Sequence, residues 1–348
     1  MSTRHTIDTF NAWRQDGEPL VLATVVATEG STYSKAGHRI LIAGNGDYQG
    51  LVSGGCLEGD LAEHARAVIE TGQAQAIRYD LRDEADEIWG MGIGCNGVIE
   101  VLLQRLDPDA DYEPFATIAN CAMHRDNSIC VVVVASEDDA CPVGATLIDW
   151  QIGHHSCGLP ARLADVARQE AAHANARAAG THIVQHDTIK LLVAPIRPVP
   201  QLLILGAGPD AAPLVNMAGE LGWRITLADH RAAYLEQRAF DAAERKCHVD
   251  PERLNAIGDL ERFTAAVVMS HHLATDRLYL EQLAATGIGY IGLLGPVARR
   301  ERLVGDLATA ATALGGRLHG PVGLDIGADS PESIALAILA QIQLETGR

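Results

Sequence analysis

The chain has 348 residues, 47% of them apolar and 21% charged, enough to bury the cores of two α/β domains and too apolar for disorder. A formal net charge of −18 argues against a nucleic-acid partner, because neutralising phosphates takes clustered Lys and Arg; Arg299, Arg300 and Arg302 read instead as a solvated helix face. Seven cysteines without a CxxC pair, no secretory h-region and no apolar run of membrane length point to a reduced, cytoplasmic chain with no membrane contact.

A short polar helix opens the chain, and the apolar run at 20–27 reads as a buried strand. The turn Gly30-Ser31-Thr32 offers backbone N–H groups to an anion. Strands at 39–43 and 48–53 flank Gly44-Asn45-Gly46-Asp47, a hairpin turn, because Asn-Gly tolerates positive φ. Gly54-Gly55-Cys56-Leu57-Glu58 follows, then a helix with Leu61, Ala65, Val68 and Ile69 at helical spacing, closed by Gly72. An acidic loop at 80–87 and a Gly-rich segment at 90–97 containing Cys95 precede a strand at 98–103. Helices at 112–123 and 159–179 and strands at 128–135 and 189–195 complete the first half. Pro198 and Pro200 punctuate the chain, and we place domains at 1–196 and 197–348.

The second half alternates strand and helix, the pattern of a doubly wound parallel sheet, with strands at 201–205, 224–228, 265–269 and 290–294. The first strand runs into Gly206-Ala207-Gly208-Pro209-Asp210-Ala211, a GxGxxA dinucleotide fingerprint. Gly206 permits the tight turn, Gly208 admits a pyrophosphate, and Ala211 lets the helix pack. Asp229 ends the second strand, where an acid binds a ribose hydroxyl, and Arg231 is placed for a 2′-phosphate, so NAD and NADP both remain open. Asp210, in the phosphate turn, would repel a diphosphate.

Cys56 lies between a diglycine and a helix start, where a thiolate is favoured; as a nucleophile or a soft metal ligand it competes with the reading of a small buried residue, as does Cys95. Ser270-His271-His272, at the end of a strand, can bind metal, move protons or simply be hydrogen-bonded. His154-His155-Ser156-Cys157 and His182/His186 lack enough ligands at convincing spacing.

Several of these segments, in this order, resemble the XdhC/CoxI family of molybdenum-hydroxylase accessory proteins. In the first half they are Gly30-Ser31-Thr32-Tyr33 with Gly37, Gly54-Gly55-Cys56-Leu57-Glu58, and Gly94-Cys95-Asn96-Gly97. In the second they are Gly206 to Ala211, Ser270-His271 with Asp276, Tyr290-Ile291-Gly292-Leu293-Leu294-Gly295, and Pro321-Val322-Gly323-Leu324-Asp325-Ile326-Gly327-Ala328 before Ser330-Pro331-Glu332. The chain departs from the family at Ser34, Asn96, His272, Ser333, Gln341 and Pro209-Asp210.

The resemblance implies an α/β XdhC/CoxI-type domain followed by a Rossmann-like domain. It also implies a homodimeric chaperone, not itself an enzyme, that holds the molybdenum cofactor (molybdopterin) during sulfuration by a cysteine desulfurase. The chaperone would then insert the cofactor into a xanthine dehydrogenase-like apoenzyme. The resemblance and the residue motifs together mark for cofactor binding Gly54, Gly55, Cys56, Glu58, Cys95, Ser31, Thr32, Ser270, His271 and Asp325, with Cys56 as a candidate molybdenum ligand, and the dinucleotide fingerprint adds Gly206, Gly208, Ala211 and Asp229. The competing readings are an NAD(P)-dependent oxidoreductase, for which no Tyr-x-x-x-Lys pair stands out, and a scaffold with a vestigial Rossmann domain.

Overall fold

Apolar on both faces for most of its length, Leu20–Gly30 can only be satisfied at the middle of a sheet, and it forms the central strand β1 of a five-stranded antiparallel sheet. The computed structural model describes residues 2–82, 97–124, 128–150, 153–176, 180–307 and 309–347. Helix α1 (Thr3–Trp13) precedes β1; β2 (Arg39–Ala43) and β3 (Tyr48–Gln49) form the hairpin; α2 (Glu58–Thr71), β4 (Gln75–Asp80) and β5 (Gly97–Leu106) complete this sheet in the order β3-β2-β1-β5-β4. Strand β3 is shorter than its sequence suggests. The N–H groups of Val52 and Ser53 turn to the Glu58 carboxylate instead of a neighbouring strand.

A second five-stranded antiparallel sheet, β8-β7-β6-β10-β9, follows α3 (Phe115–Met123). It is built from β6 (Ser128–Ala135), β7 (Thr146–Trp150), β8 (Gly153–Cys157), β9 (His182–His186) and β10 (Ile189–Ile196), with α4 (Ala161–Ala176) between β8 and β9. Helix α2 covers one face of the first sheet through Leu61, Ala65 and Val68, and α4 covers one face of the second through Leu163, Ala167 and Ala171. The remaining faces meet through Val26, Leu102, Val132, Val134, Leu192 and Ala194. This first unit spans Met1–Pro198.

The second unit, Val199–Arg348, is a six-stranded parallel sheet in the order β13-β12-β11-β14-β15-β16. Its elements are β11 (Gln201–Leu205), α5 (Ala211–Glu220), β12 (Arg224–Asp229), α6 (Ala232–Leu235), β13 (Arg245–His248), β14 (Ala265–Val268), α7 (Leu273–Ala284), β15 (Tyr290–Leu293), α8 (Val297–Asp306), α9 (Thr309–Leu314), β16 (Leu318–His319) and α10 (Pro331–Thr346). One apolar cluster joins α5 and α10 to one face, and another joins α7 and α9 to the other, the layering of a doubly wound fold. Ser330 caps α10 in a capping box closed by Ser333. No helix among the described residues is long and apolar enough to cross a membrane.

The segment after β16 is pinned to the sheet by one side chain. Gln341 of α10 accepts hydrogen bonds from the buried Tyr290 hydroxyl at 2.6 Å and from the Gly323 N–H at 2.8 Å. Gly292 is bare because a Cβ there would meet Val322 at 2.4 Å. Replacing Gln341 by Ala leaves two donors unpaired and should cost about 2–3 kcal/mol, whereas Tyr290→Phe should cost about 1 kcal/mol. Urea unfolding of both variants checks this; equal losses would mean that the Gly323 bond carries nothing.

Candidate functional site

The Cys56 loop is built around a buried carboxylate. Glu58 is 0% exposed. Its Oε1 accepts from the Val52 and Ser53 N–H groups at 2.7 and 2.9 Å, and its Oε2 from the Ser53 hydroxyl at 2.8 Å and the Gly55 and Leu57 N–H groups at 2.9 and 3.2 Å. An ionised carboxylate offers about four acceptor positions, so these donors saturate it. Burial pushes the Glu58 carboxyl up, but the bonds from Ser53 and Val52 outweigh that and hold it below the usual range.

Glu58 therefore faces inward as the anchor of the loop and has no oxygen left for a ligand. The Ser53 hydroxyl also accepts from the Cys56 and Leu57 N–H groups at 3.1 and 2.7 Å. The helix begins at Glu58, so Cys56 lies before it, and the positive helix end is met by Glu58 rather than left to the thiol. Gly54 and Gly55 take φ of 82° and 114°, a conformation that L side chains rarely adopt, and they leave the half-buried Cys56 without side chains on its N-terminal side. Cys95 lies outside the described residues.

The 31–38 loop lies beside the Cys56 loop, and Gly97 packs against the start of the 31–38 loop. Gly97 pairs with Gly30 at the end of β1, and a Cβ on it would come within 2.5 Å of the Glu29 carbonyl and 2.8 Å of the Thr32 side chain. Thr32 spends its hydroxyl on the Ser34 carbonyl at 2.9 Å, and Ser34 donates to Leu51 at 2.9 Å, while Ser31 is exposed. These bonds hold residues 31–38 as a shaped loop. The Tyr33 ring lies against Gly54, 3.7 Å from where a Cβ would stand.

On its other side the same loop walls a cavity of about 510 Å³, a feature the sequence did not signal. Ile7 of α1 and Phe115, Ile118, Ala119 and Ala122 of α3 give it an apolar floor, and Lys35, His38, Arg39 and Arg197 give it a basic wall. Among the described residues no Asp or Glu lines it, although the chain carries 45 of them against 27 Lys and Arg. Lys35, Arg39 and Arg197 have no ion-pair partner among the described residues; Arg39 reaches the buried Cys130 thiol, and its Nη2 is buried without a partner. Burial pulls the His38 imidazole below its ordinary value, with the charge of Arg39 among the smaller causes. Such a cavity is of a size and chemistry for a flat organic molecule carrying an anionic group.

The Rossmann turn has the expected backbone, but its ligand positions are filled by the chain itself. Gly206, at φ 125°, is required because a Cβ would strike the Met269 carbonyl at 2.5 Å, and Ala211 is fully buried under the sheet edge. Asp229 is 0% exposed and saturated. Its Oδ2 accepts from the Ala207 N–H at 2.7 Å and Arg231 Nη2 at 2.8 Å, and its Oδ1 from the Arg231 N–H at 2.8 Å and Nε at 2.9 Å. Burial pushes its carboxyl up, but the Arg231 bonds dominate and hold it low. The acid expected to meet a ribose thus secures the glycine turn, and the Arg231 guanidinium is spent on it. Over Gly208 lies Asp210, whose Oδ1 would be 2.5 Å from a Cβ there, and whose Oδ2 pairs with His271 Nε2 at 2.8 Å. A carboxylate therefore stands where a diphosphate would sit. The adjoining hollow, which includes Asp210, Asn216, His271 and Glu332, adds a second acid.

The two neighbouring histidines part company. His271, held at φ 60°, goes to Asp210, while His272 caps α7 and bonds Thr275 Oγ1 at 2.9 Å, so they do not converge on one metal. Ser270 donates its hydroxyl and its N–H to Asp276 Oδ1, and Asp276 Oδ2 accepts from Arg299 Nη2 at 2.6 Å and Nε at 3.2 Å. Ser270 is thereby a buried structural donor, and Arg299 is drawn into the fold rather than solvated. Asp325 is exposed on the loop before α10. His182 bonds the Gly180 carbonyl and His186 faces Asp187, apart from any donor cluster. Glu113, which sequence spacing did not flag, stands beside His155 and Cys157, with one ligand atom of each within 4.8 Å of the others. Proximity across two elements leaves no linear signal.

Residues 202–342 match the family described as "XdhC Rossmann domain", and residues 13–80 match the "XdhC and CoxI family". The chain is 32% identical over 343 residues to a probable xanthine dehydrogenase subunit of Bacillus subtilis, covering 98% of this chain and 97% of that one. A crystal structure described as a xanthine dehydrogenase from Bacillus halodurans aligns with a TM-score of 0.79 at 29% identity, over 100% of this chain and 97% of that one. A 147-residue stretch is 28% identical to the uncharacterised Escherichia coli protein YqeB, covering 41% of this chain and 27% of that one.

Glu58 yields a pH prediction. Because its folded carboxyl is held below the unfolded value, its stabilisation is complete above the ordinary glutamate range and lost as pH falls through the folded pKa. Glu58→Gln should cost about 2–3 kcal/mol at pH 7, and the gap to wild type should narrow on acidification. Urea midpoints from pH 7 to pH 3 read it out; a gap independent of pH would show that shape, and not charge, holds the loop.

Proposed function

The chain belongs to the XdhC and CoxI family, and from that we propose that it is an accessory protein in the maturation of a xanthine dehydrogenase-type molybdenum hydroxylase. In this reading it holds the molybdenum cofactor while a cysteine desulfurase sulfurates it, then passes it to the apoenzyme. The observation that carries the reading is the cavity walled by the 31–38 loop, whose lining among the described residues is basic and holds no acid on a chain of charge −18.

The residues fit the group. A pterin is flat and suits the floor of Ile7, Phe115 and Ile118; its phosphate suits Lys35, Arg39 and Arg197; and a soft sulfur at Cys56 suits molybdenum. Tyr33 belongs to the cavity wall and touches Gly54, which makes the two features neighbours. When bound, the cofactor supplies the metal centre on which sulfur exchange occurs. In this reading the chain's own contribution is to bind the anionic end in the cavity and to offer the Cys56 thiol from the loop that Tyr33 adjoins.

The oxidoreductase reading is disfavoured by the saturated Asp229 and by Asp210 over Gly208. We infer that the Rossmann unit of this chain does not take up NAD or NADP, so neither should raise its melting temperature.

Anaerobic purification from a cofactor-producing host, followed by fluorescence of the oxidised pterin and reconstitution of an apo-hydroxylase, tests the proposal. Cys56→Ser should fold with less than about 1 kcal/mol lost, yet activate the hydroxylase at least about tenfold less. Lys35→Ala/Arg197→Ala removes two charge-assisted contacts of about 1.5–3 kcal/mol each and should lower pterin retention at least about tenfold. Undiminished pterin and undiminished activation in both variants would overturn the reading.

A further inference from the structure

His155 and Cys157 sit two apart on β8, so their side chains leave the same face of the sheet, the one shared by their ladder partners Ile148 and Thr146. The alternation in burial along this strand agrees: His154 and Ser156 are exposed, while His155 and Cys157 are half-buried. Glu113, in the turn before α3, approaches from the other side, and one donor atom from each residue lies within 4.8 Å of the other two. All three are half-buried, so none is a casual surface group.

The distances have a further property. His155 Nε2 and Glu113 Oε2 are 3.6 Å apart, too far for a hydrogen bond and close to the separation of two donors on one tetrahedral zinc, about 3.3–3.8 Å from bond lengths of about 2.0–2.3 Å. The two form an ion pair when His155 is protonated, and with the imidazole neutral the same spacing leaves room for one cation between them. The Glu113 carboxylate is itself held from behind, its Oε1 accepting from the Thr117 hydroxyl at 2.7 Å and its Oε2 from the Thr117 N–H at 3.3 Å, the kind of support that orients a metal ligand.

We propose that Glu113, His155 and Cys157 form a binding site for one zinc-class divalent cation, with the fourth position taken by water. A nitrogen, a thiolate and one carboxylate oxygen form a set of mixed softness that selects zinc over calcium or magnesium, which favour all-oxygen shells. Binding releases the thiol proton of Cys157 to solvent and involves no redox change. The ion would clip edge strand β8 to the turn that starts α3. The site is independent of the proposed cofactor role: it uses neither Cys56 nor the basic cavity.

The test titrates the reduced, full-length protein with Co²⁺ as a spectroscopic stand-in, then with Zn²⁺. The expected result is a thiolate-to-cobalt charge-transfer band that saturates at one equivalent and bleaches when Zn²⁺ is added. Cys157→Ser should abolish the band, His155→Ala and Glu113→Gln should weaken Co²⁺ binding about tenfold or more, and His154→Ala, on the opposite face, should leave it unchanged. Zn²⁺ should also raise the melting temperature of wild type but not of His155→Ala. Absence of the band in folded wild type, or its persistence in Cys157→Ser, would overturn the proposal.

Discussion

A buried carboxylate must have its lone pairs filled, and among the described residues this chain uses that demand three times to fix a loop. Glu58 gathers the N–H groups of Val52, Ser53, Gly55 and Leu57, Asp229 gathers Ala207 and Arg231, and Asp276 gathers Ser270 and Arg299. In each case about four donors converge on two oxygens, which is the capacity of the group. The cost of burying a charge is met by bonds that a mobile loop could not keep, so the loop is held in one shape. The glycines follow from this arrangement. Gly54 and Gly55 supply backbone angles that bring N–H groups round to Glu58, and Gly206 lets the chain pass close to Met269.

This logic explains how a dinucleotide fingerprint can be intact in sequence and occupied in structure. The turn Gly206–Ala211 and the acid at the end of β12 have the familiar spacing, yet Arg231, two residues on, claims the acid, and Asp210 claims the space over Gly208. The spacing reports the βαβ geometry, which is present. It does not report where the charges go, since that depends on two side chains outside the pattern.

What was legible in the sequence was whatever depends on the core. Strands β2, β6 and β11 have the limits that hydropathy gave them, and β1, β5, β10, β12, β14 and β15 differ by a few residues at their ends, because each is an inner strand with an apolar run. The strands that hydropathy passed over, β4, β8, β9, β13 and β16, are all at sheet edges, where one face is wet and the alternation is short and polar, as in Gly153–Cys157 and His182–His186. Strand β7 escaped for another reason: its five residues sit between loop segments and carry Asp149. The Cys56 loop was visible as a motif, but the inward turn of Glu58 was not, since only the folded backbone shows which donors surround it. The basic cavity draws on α1, the loop after β1, α3 and the end of β10, so no window of sequence contains it.

The charge asymmetry of that cavity has a kinetic side. A ligand with a phosphate must cross the field of a molecule carrying −18 before it reaches Lys35, Arg39 and Arg197. At low ionic strength the far field repels it while the near field holds it; at physiological ionic strength the Debye length is about 8 Å, and the repulsion at long range is largely screened. Salt therefore speeds entry and loosens retention at once. If the chain carries an anionic cargo as proposed, exchange should quicken as ionic strength rises, with retention governed by the local cations and arrival by the charge of the whole surface.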